Sequence, residues 1–357
     1  MQQQIRFCKS FDGTRIAYAV TGEGPTLVKA PHWLTHLEYE ERSPIWRPWI
    51  SEFSRRHRLV RIDQRGCGLS DRGVETISFE AFVRDLEAVV DALGLERFAL
   101  FGHSQGGAIG IEYAVRHPER VSHFVLLGTY ARGWFKRGLP PERMQELEAQ
   151  LKLVETGWGR EEDASYRHMF ASQFMPGATL EQLRSLSELQ RMSATPRDAE
   201  RVLRAVWGLD VTKSVPQVRC PTLVVHARGD LRAPFEEGRA MASTIPGARF
   251  VPLDSRNHIL LEHEPAFRQF FDELNAFLPG DRQSFPALTA REGEILDHIA
   301  QGLDNAQIAA RLELSEKTVR NHITRVFDKI CVEHRYQAIV LAREAGLGGA
   351  SRHTNPR

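Results

Sequence analysis

The chain has 357 residues, of which 42% are hydrophobic and 26% are charged, and its formal net charge at pH 7 is +1. These proportions are average for a soluble globular protein, and the length suits one large and one small domain. No stretch approaches the roughly 18 to 20 apolar residues that span a bilayer. The first residues lack the apolar segment of a signal peptide. A charge so close to neutral indicates that any contact with nucleic acid must come from a local surface.

The cysteines and histidines predict neither disulfides nor a metal site. A CxxC pairing is missing, and the His263-Glu264 pair lacks the second histidine of an HExxH zinc motif. Isolated cysteines are typical of reduced thiols in a cytoplasm. We therefore expect a cytoplasmic protein with no membrane partner, no metal and no cofactor. The four cysteines are Cys8, Cys67, Cys220 and Cys331.

Up to about Leu278 the sequence alternates short β-branched runs with amphipathic helical stretches. Between two of these runs, apolar residues from Phe82 to Leu93 recur at helical spacing. Strand and helix in alternation predict a mostly parallel, doubly wound sheet with helices on both faces. The predicted buried strands are residues 59–63, 98–101, 121–127, 222–226 and 248–253.

Two changes in the pattern divide the chain. From about Gly133 to Leu209 the strand pattern is absent and three tryptophans occur, which predicts a helical cap of about residues 130–209 over the carboxyl edge of the sheet. Residues 279–286 contain two prolines and break the periodicity, as a linker does. Beyond them only helices are predicted. The expected domains are therefore 1–278 and 287–350, joined by 279–286.

Residues 101–107 read Phe-Gly-His-Ser-Gln-Gly-Gly, a G-x-S-x-G motif between a predicted strand and a predicted helix. Small residues at Gly102 and Gly106 leave room for a strained turn that lifts Ser104 above the sheet. The positive end of the following helix points at the same place. This context predicts that Ser104 is a nucleophile.

A serine hydroxyl needs a base to take its proton, and that base needs an orienting acid. In the chain order serine, acid, histidine, the candidates are Asp230 and His258. Each follows a predicted strand, at the sheet edge where a site is expected. The catalytic set predicted from the sequence is therefore Ser104, Asp230 and His258.

With these motifs, the region from about residue 5 to 278 resembles the α/β-hydrolase family. The stretch Asp63-x-Arg65-Gly-x-Gly-x-Ser-Asp71 is similar to one that supports the fold near the site in that family. Serine at the nucleophile position argues against the chemistry of haloalkane dehalogenases and epoxide hydrolases, which use aspartate there.

One segment departs from the family pattern. Members usually carry His-Gly after the third strand, whereas this chain has Pro31-His32 there and the unexpected Lys29 at the strand end. The resemblance implies that the backbone N–H groups of Trp33 and Gln105 form the oxyanion hole.

The C-terminal segment has the start signals of three short helices. Thr289 with Glu292 and Asp304 with Gln307 form capping boxes, and Ser315 can cap a third helix that runs to about Ile330. One face of this third helix is apolar and the other is rich in hydrogen-bond donors. A short helix, a tight turn and such a second helix predict a helix-turn-helix that enters the major groove of DNA.

Over about 60 residues this segment resembles the LuxR/NarL-type DNA-binding domain, through L-T-x-R-E at 288–292, I-A-x-x-L at 308–312 and S-x-x-T-V-R-x-H at 315–322. The resemblance implies a dimer contact on the last helix, around 335–346. It also implies base contacts by Arg320, Asn321 and Thr324, and phosphate contacts by Lys317, Thr318 and Arg325.

The expected architecture is an α/β hydrolase fold, a mostly parallel doubly wound sheet with a helical cap, plus a small all-α helix-turn-helix domain. The function that fits it best is a homodimeric transcriptional regulator that binds promoter DNA and senses a small hydrophobic ligand containing a carbonyl group. A working esterase, lactonase or amidase with an appended DNA-binding domain is the alternative. A third possibility is an interaction protein that does not use its pocket.

Overall fold

The computed structural model of the protein describes residues 3–159, 164–278, 288–345 and 347–348. The chain forms two compact units, Met1–Phe277 and Leu278–Arg357. The predicted linker at 279–286 lies outside the described residues.

Within the described residues, eight strands of the N-terminal unit form one sheet in the order β1-β2-β4-β3-β5-β6-β7-β8. The strand β2 runs antiparallel to β1 and β4, and all other pairs are parallel. The predicted mostly parallel sheet is therefore confirmed. The strands are β1 (Gln4–Lys9), β2 (Arg15–Thr21), β3 (Thr26–Lys29), β4 (Arg58–Ile62), β5 (Phe98–His103), β6 (Val121–Leu127), β7 (Thr222–Ala227) and β8 (Arg249–Leu253).

Helices connect the parallel strands and cover the sheet. Trp49 in one of them contacts Phe101 of β5 and three phenylalanines of a later helix, at ring-centroid distances of 5.3–6.4 Å. Such aromatic contacts bury much apolar surface and hold the helices against the sheet. The helices outside the cap are α1 (Leu37–Glu40), α2 (Trp46–Ser54), α3 (Phe79–Ala92), α4 (Gln105–Arg116), α9 (Phe235–Thr244) and α10 (Pro265–Phe277).

The cap lies between β6 and β7. Its two ends meet where Arg132 pairs with Asp210 in an antiparallel bridge, so the insertion leaves and rejoins the sheet at one point. Trp158 and Trp207 are buried within it, and Trp134 is half-buried. The predicted helical cap is therefore present. Its helices are α5 (Pro141–Gly157), α6 (Ser165–Ser172), α7 (Leu180–Ser193) and α8 (Pro196–Trp207).

The described part of the C-terminal unit is all-helical, with a small apolar core shared by its helices. Both capping boxes predicted from the sequence, Thr289 with Glu292 and Asp304 with Gln307, are formed. The hydroxyl of Ser315 accepts a hydrogen bond from the backbone N–H of Thr318. The helices are α11 (Ala290–Ala300), α12 (Asn305–Leu312), α13 (Glu316–Lys329) and α14 (Arg335–Glu344).

No helix within the described ranges combines the length and the apolar composition that crossing a membrane requires. In the same ranges, His, Cys, Asp and Glu side chains form no group of three or more that could hold a metal ion. All four cysteines are free thiols.

A buried ion pair stabilises the loop that follows β4. The guanidinium of Arg65 donates two hydrogen bonds to Asp85 on α3, at 2.9 and 2.7 Å, and both side chains are fully buried. It also reaches Asp12 at 2.7 Å. Burying these charges costs free energy that only a complete pair recovers, so loss of one partner is severe.

We expect Arg65→Met to lower the free energy of unfolding of this unit by about 3–5 kcal/mol, because it leaves the Asp85 carboxylate buried without a cation. Urea unfolding followed by tryptophan fluorescence reports on this unit alone, since all six tryptophans lie between residues 33 and 207. Arg15→Met is the control, because the Arg15–Asp71 pair is largely exposed and should contribute less than about 1 kcal/mol. Equal losses in the two variants would contradict the assignment.

Candidate functional site

Ser104 occupies a strained turn between β5 and α4. Its φ of 55° and ψ of −128° lie in a region that non-glycine residues rarely adopt. The turn fits only because its neighbours have no side chain: a Cβ on Gly102 would lie 2.4 Å from the Cα of Gly107, and one on Gly106 would lie 2.9 Å from the Pro31 carbonyl oxygen. This is the geometry that the motif predicts.

Asp230 and His258 are joined by a hydrogen bond of 2.6 Å between Oδ2 of the acid and Nδ1 of the imidazole. The other carboxylate oxygen accepts the backbone N–H groups of Arg232, at 2.7 Å, and Ala233, at 3.0 Å. Burial alone would raise the pKa of Asp230, but the His258 charge and these hydrogen bonds outweigh it and hold the pKa below its ordinary value. The acid is therefore ionised and fixed in one orientation.

Contacts of the side chain and of the backbone hold His258 in place. Its imidazole ring stacks on that of His103, with 4.9 Å between ring centroids, and the backbone N–H of His258 donates a hydrogen bond to the Phe174 carbonyl at 2.8 Å. Its Nε2 is buried and has no hydrogen-bond partner in the part of the chain that the structure describes. Ser104 and His258 line the same small cavity, of about 10 Å³. The structure thus brings the three predicted residues together, with Asp230 bound to Nδ1 of His258 and Ser104 on the wall of the same cavity.

The loop after β3 supplies Trp33, which lines both of the cavities that Ser104 lines. Gln105 is the first residue of α4, where backbone N–H groups lack partners within the helix. His32 stacks on Trp46 at 4.5 Å, and Lys29 places its Nζ 5.2 Å from the centre of the same indole. Burial lowers the pKa of Lys29 to about 8. The lysine is therefore part of the support of this loop.

Two residues beside Ser104 were not predicted from the sequence, Tyr130 and Arg232. Tyr130 lines a cavity that Ser104 also lines, and burial raises the pKa of its phenol. Arg232 lines the second cavity beside Ser104, of about 20 Å³, together with Tyr130. Both follow the carboxyl ends of parallel strands, as Asp230 and His258 do, so strand position was the signal that could have found them.

In the C-terminal unit, α13 has the two faces that the sequence predicts. Val319, Ile323, Val326 and Ile330 are buried in the helical core. Five of the six predicted DNA contacts are exposed, and Thr318 is half-buried with its hydroxyl 2.8 Å from that of Ser315. The exposed five are Lys317, Arg320, Asn321, Thr324 and Arg325.

The basic residues of this face are free of acidic partners. Among the described residues, no carboxylate lies within 4.0 Å of the charged groups of Lys317, Arg320 or Arg325. On α14, Tyr336 and Val340 are exposed large hydrophobic residues one helical turn apart. The helix α13 therefore presents unpaired cations, and α14 presents a small apolar surface.

Comparison with known proteins agrees with this geometry. Residues 39–265 match the family model described as alpha/beta hydrolase fold. Residues 286–342 match the model described as bacterial regulatory proteins, luxR family. The two matches fall on the two units of the chain.

The chain is also similar to curated proteins. It is 29% identical over 217 residues, 60% of this chain and 78% of the relative, to a putative carbamate hydrolase RutD of Azorhizobium caulinodans. It is 27% identical over 242 residues, 66% of this chain and 86% of the relative, to the AB hydrolase superfamily protein YisY of Bacillus subtilis.

Solved structures share the fold. An esterase from Exiguobacterium antarcticum has a TM-score of 0.64 at 22% identity, over 76% of this chain and 98% of its own. An enol-lactonase from Burkholderia xenovorans has a TM-score of 0.61 at 24% identity, over 76% of this chain and 99% of its own. The chain therefore belongs to the α/β hydrolase fold family and carries a C-terminal helix-turn-helix DNA-binding domain of the luxR family.

Proposed function

We propose that the protein is a transcriptional regulator that senses a small hydrophobic ligand. This ligand contains a carbonyl group and binds at the site formed by Ser104, Asp230 and His258. The observation that carries the proposal is the oriented Asp230–His258 pair beside the strained Ser104, in a chain whose α13 exposes unpaired cations. A freestanding metabolic hydrolase has no use for a base-reading helix. A promoter-binding protein works where the chromosome is, so the proposal includes a cytoplasmic location.

The lining of the two cavities supports the ligand class. Their walls are mostly aromatic and aliphatic, which suits an apolar ligand body with a few polar anchors. A serine with an orienting histidine suits an ester, lactone or similar carbonyl at the reacting position. The apolar lining includes Trp33, Trp46, Trp134, Phe174, Leu186, Leu203, Val206, Trp207 and Ile259.

The chemistry would follow from the observed hydrogen bonds. Attack on the ligand carbonyl requires the Ser104 hydroxyl to donate a hydrogen bond to Nε2 of His258, which then takes the proton. Asp230 holds the proton of the imidazole on Nδ1 and stabilises the imidazolium. The backbone N–H groups of Trp33 and Gln105 would stabilise the oxyanion. When this intermediate collapses, the acyl C–O bond of the ester or lactone breaks, the leaving oxygen takes the proton from Nε2 of His258, and an acyl-serine remains.

The small size of the cavities links ligand binding to the cap. Each cavity offers about the space of a single water molecule, so a ligand enters only if surrounding side chains move. Phe174, Leu186 and Leu203 belong to the cap region and form part of these walls. A cap rearrangement that accompanies binding is the kind of two-state element that a sensor needs.

A working esterase, lactonase or amidase is the second candidate. It is favoured by the complete set of Ser104, Asp230 and His258, since a pure binding pocket does not need all three. The relatives named above are called hydrolases, among them a carbamate hydrolase, an esterase and an enol-lactonase. In this case the DNA-binding domain would localise or regulate the enzyme.

Double-stranded DNA and a second copy of the chain are the proposed macromolecular partners. A helix-turn-helix commonly binds as a dimer to two half-sites one helical turn apart. The exposed Tyr336 and Val340 on α14 support a contact between two copies through this helix.

A serine-directed phosphonate should label Ser104 in the full-length protein. Ser104→Ala removes the nucleophile and His258→Ala removes the base, so both should abolish labelling. Asp230→Asn should keep the fold but slow labelling by orders of magnitude, because the imidazole then takes the wrong tautomer. The measurement is intact-protein mass against time. Equal labelling of wild type and Ser104→Ala would reject the nucleophile and leave a pure binding domain.

Arg320→Ala should weaken binding to the specific operator by about 1–3 kcal/mol through loss of a base contact. Lys317→Ala should weaken binding to all sequences alike and reduce the slope of affinity against salt by about one. Fluorescence anisotropy at several salt concentrations measures both. Arg268→Ala, on the exposed side of α10, removes the same charge from the other unit and is the control. If neither α13 variant differs from this control at low salt, the assigned DNA face is wrong.

The ligand that mass spectrometry identifies in the purified protein should change operator affinity by 5- to 150-fold, the range of about 1–3 kcal/mol that couplings commonly span. Operator DNA must then change ligand affinity by the same factor. If binding is the signal, Ser104→Ala should respond and retain the ligand longer. If the acyl-enzyme or product is the signal, Ser104→Ala should bind the ligand without responding. An operator affinity that stays constant in both proteins would reject the sensor and favour the DNA-tethered enzyme.

A further inference from the structure

Arg232 extends into the cavity beside Ser104 from the loop that also holds Asp230. Its guanidinium lies over the rings of Phe174, at 4.6 Å, and Phe170, at 5.3 Å. One of its nitrogens donates to the neutral side chain of Gln173 at 2.8 Å. Burial lowers the pKa of Arg232, although arginine remains protonated in proteins. The cavity wall therefore carries a permanent positive charge among aromatic rings.

This charge has no acidic partner of its own. Within the described ranges, no carboxylate lies within 4.0 Å of the Arg232 guanidinium. The nearby Asp230 is occupied, since one oxygen binds His258 and the other accepts two backbone N–H groups. Arg232 is half-buried, and a cation partly withdrawn from water without a counter-ion is costly, so proteins usually pair it.

Arg137, a second cation near this cavity, differs from Arg232 because it has an acidic neighbour. Arg137 lies over Trp134 at 4.2 Å and over Tyr130 at 5.3 Å, and its Nε is 3.7 Å from Glu237. Tyr130 faces the cavity with a phenol whose pKa is raised, so it is a neutral hydrogen-bond donor there. Arg232 and Tyr130 together offer a cation and an O–H group to a bound anion.

We propose that Arg232 binds a carboxylate of the ligand, so that the sensed molecule is a small apolar carboxylate with its ester or lactone carbonyl near Ser104. The inference rests on the proposed function and narrows its ligand class. A guanidinium binds a carboxylate with two parallel hydrogen bonds, which would fix the orientation of the ligand as well as its charge. The aromatic rings beside Arg232 shield one side of the guanidinium from water, which strengthens that contact.

The test compares two probes that differ in one charge: monomethyl adipate, an anion with one ester, and dimethyl adipate, its neutral diester. Calorimetric titration uses the full-length chain with Ser104→Ala, so that the ester is not cleaved. We expect the anion to bind at least tenfold more tightly than the diester. Adding Arg232→Gln should weaken binding of the anion about ten- to hundredfold and binding of the diester less than threefold.

Two further variants separate the anion site from other effects. Arg232→Lys keeps the positive charge but not the planar guanidinium, and it should retain part of the preference for the anion over the diester. Arg228→Gln removes a charge from an exposed position four residues away and should leave both affinities unchanged. Tryptophan fluorescence confirms that each variant is folded.

The inference is overturned if both probes bind equally, or if Arg232→Gln weakens both alike, which would make Arg232 a clamp on the cap. Failure of monomethyl adipate to bind at millimolar concentration would overturn it as well. Operator affinity in the same samples distinguishes this from failure of the sensor. Carboxylate selectivity without any change in operator affinity would keep the anion site and reject the sensor.

Discussion

The strained turn at Ser104 is the constraint on which the site depends. A positive φ at a residue with a side chain costs about 1–3 kcal/mol, so the surrounding structure must hold it there. The tight approaches at Gly102 and Gly106 do this by joining β5, α4 and the loop after β3 with no side chain between them. Since Ser104, Trp33 and His258 all border one small cavity, a change in any of these approaches would move Ser104 relative to His258.

The loop after β3 lacks the glycine that is usual in this family, and buried charged residues pack behind it. Arg61 is fully buried and donates hydrogen bonds to Glu40 at 2.9 Å and to Glu41 at 2.6 Å. Burial, followed by the charge of Glu40, raises the pKa of Asp63 to about 7, while its Oδ2 accepts the backbone N–H groups of Leu37 and Leu69. A loop that carries Pro31-His32 in place of His-Gly is therefore fixed by ionic and aromatic contacts rather than by a free backbone. Lys29, at the end of β3, is one of these contacts, because its ammonium group lies over the Trp46 indole.

The features that the sequence predicted are those with local physical signatures. Capping boxes, the two faces of α13 and the glycine-rich turn at Ser104 depend on residues a few positions apart, and the structure contains each of them. The strands β1 and β2 were not predicted. The strand β1 is a largely exposed edge strand without a buried apolar run, and β2 has such a run but lies outside the alternation of strand and helix, since it runs antiparallel between β1 and β4. Tyr130 and Arg232 lie in no motif, and only the meeting of β6 and β7 in the sheet brings them to Ser104. The base and phosphate contacts of α13 and the catalytic roles of Ser104, Asp230 and His258 stay predictions.

The charge of Arg232 and the closed cavities together give a physical route by which binding could reach the DNA-binding domain. A ligand changes an equilibrium only by the difference in its affinity for the two states. An apolar body that enters cavities of about 10 and 20 Å³ has to displace side chains of the cap, whereas a carboxylate is attracted to Arg232, which contacts Phe170, Gln173 and Phe174 of the same cap. The ligand would therefore bind most tightly to the cap conformation in which its carboxylate contacts the guanidinium of Arg232. This difference in affinity between two cap conformations is what a sensor requires. An uncharged analogue of the same shape would lack most of it, so the charge of the ligand, more than its size, would determine how strongly the promoter responds.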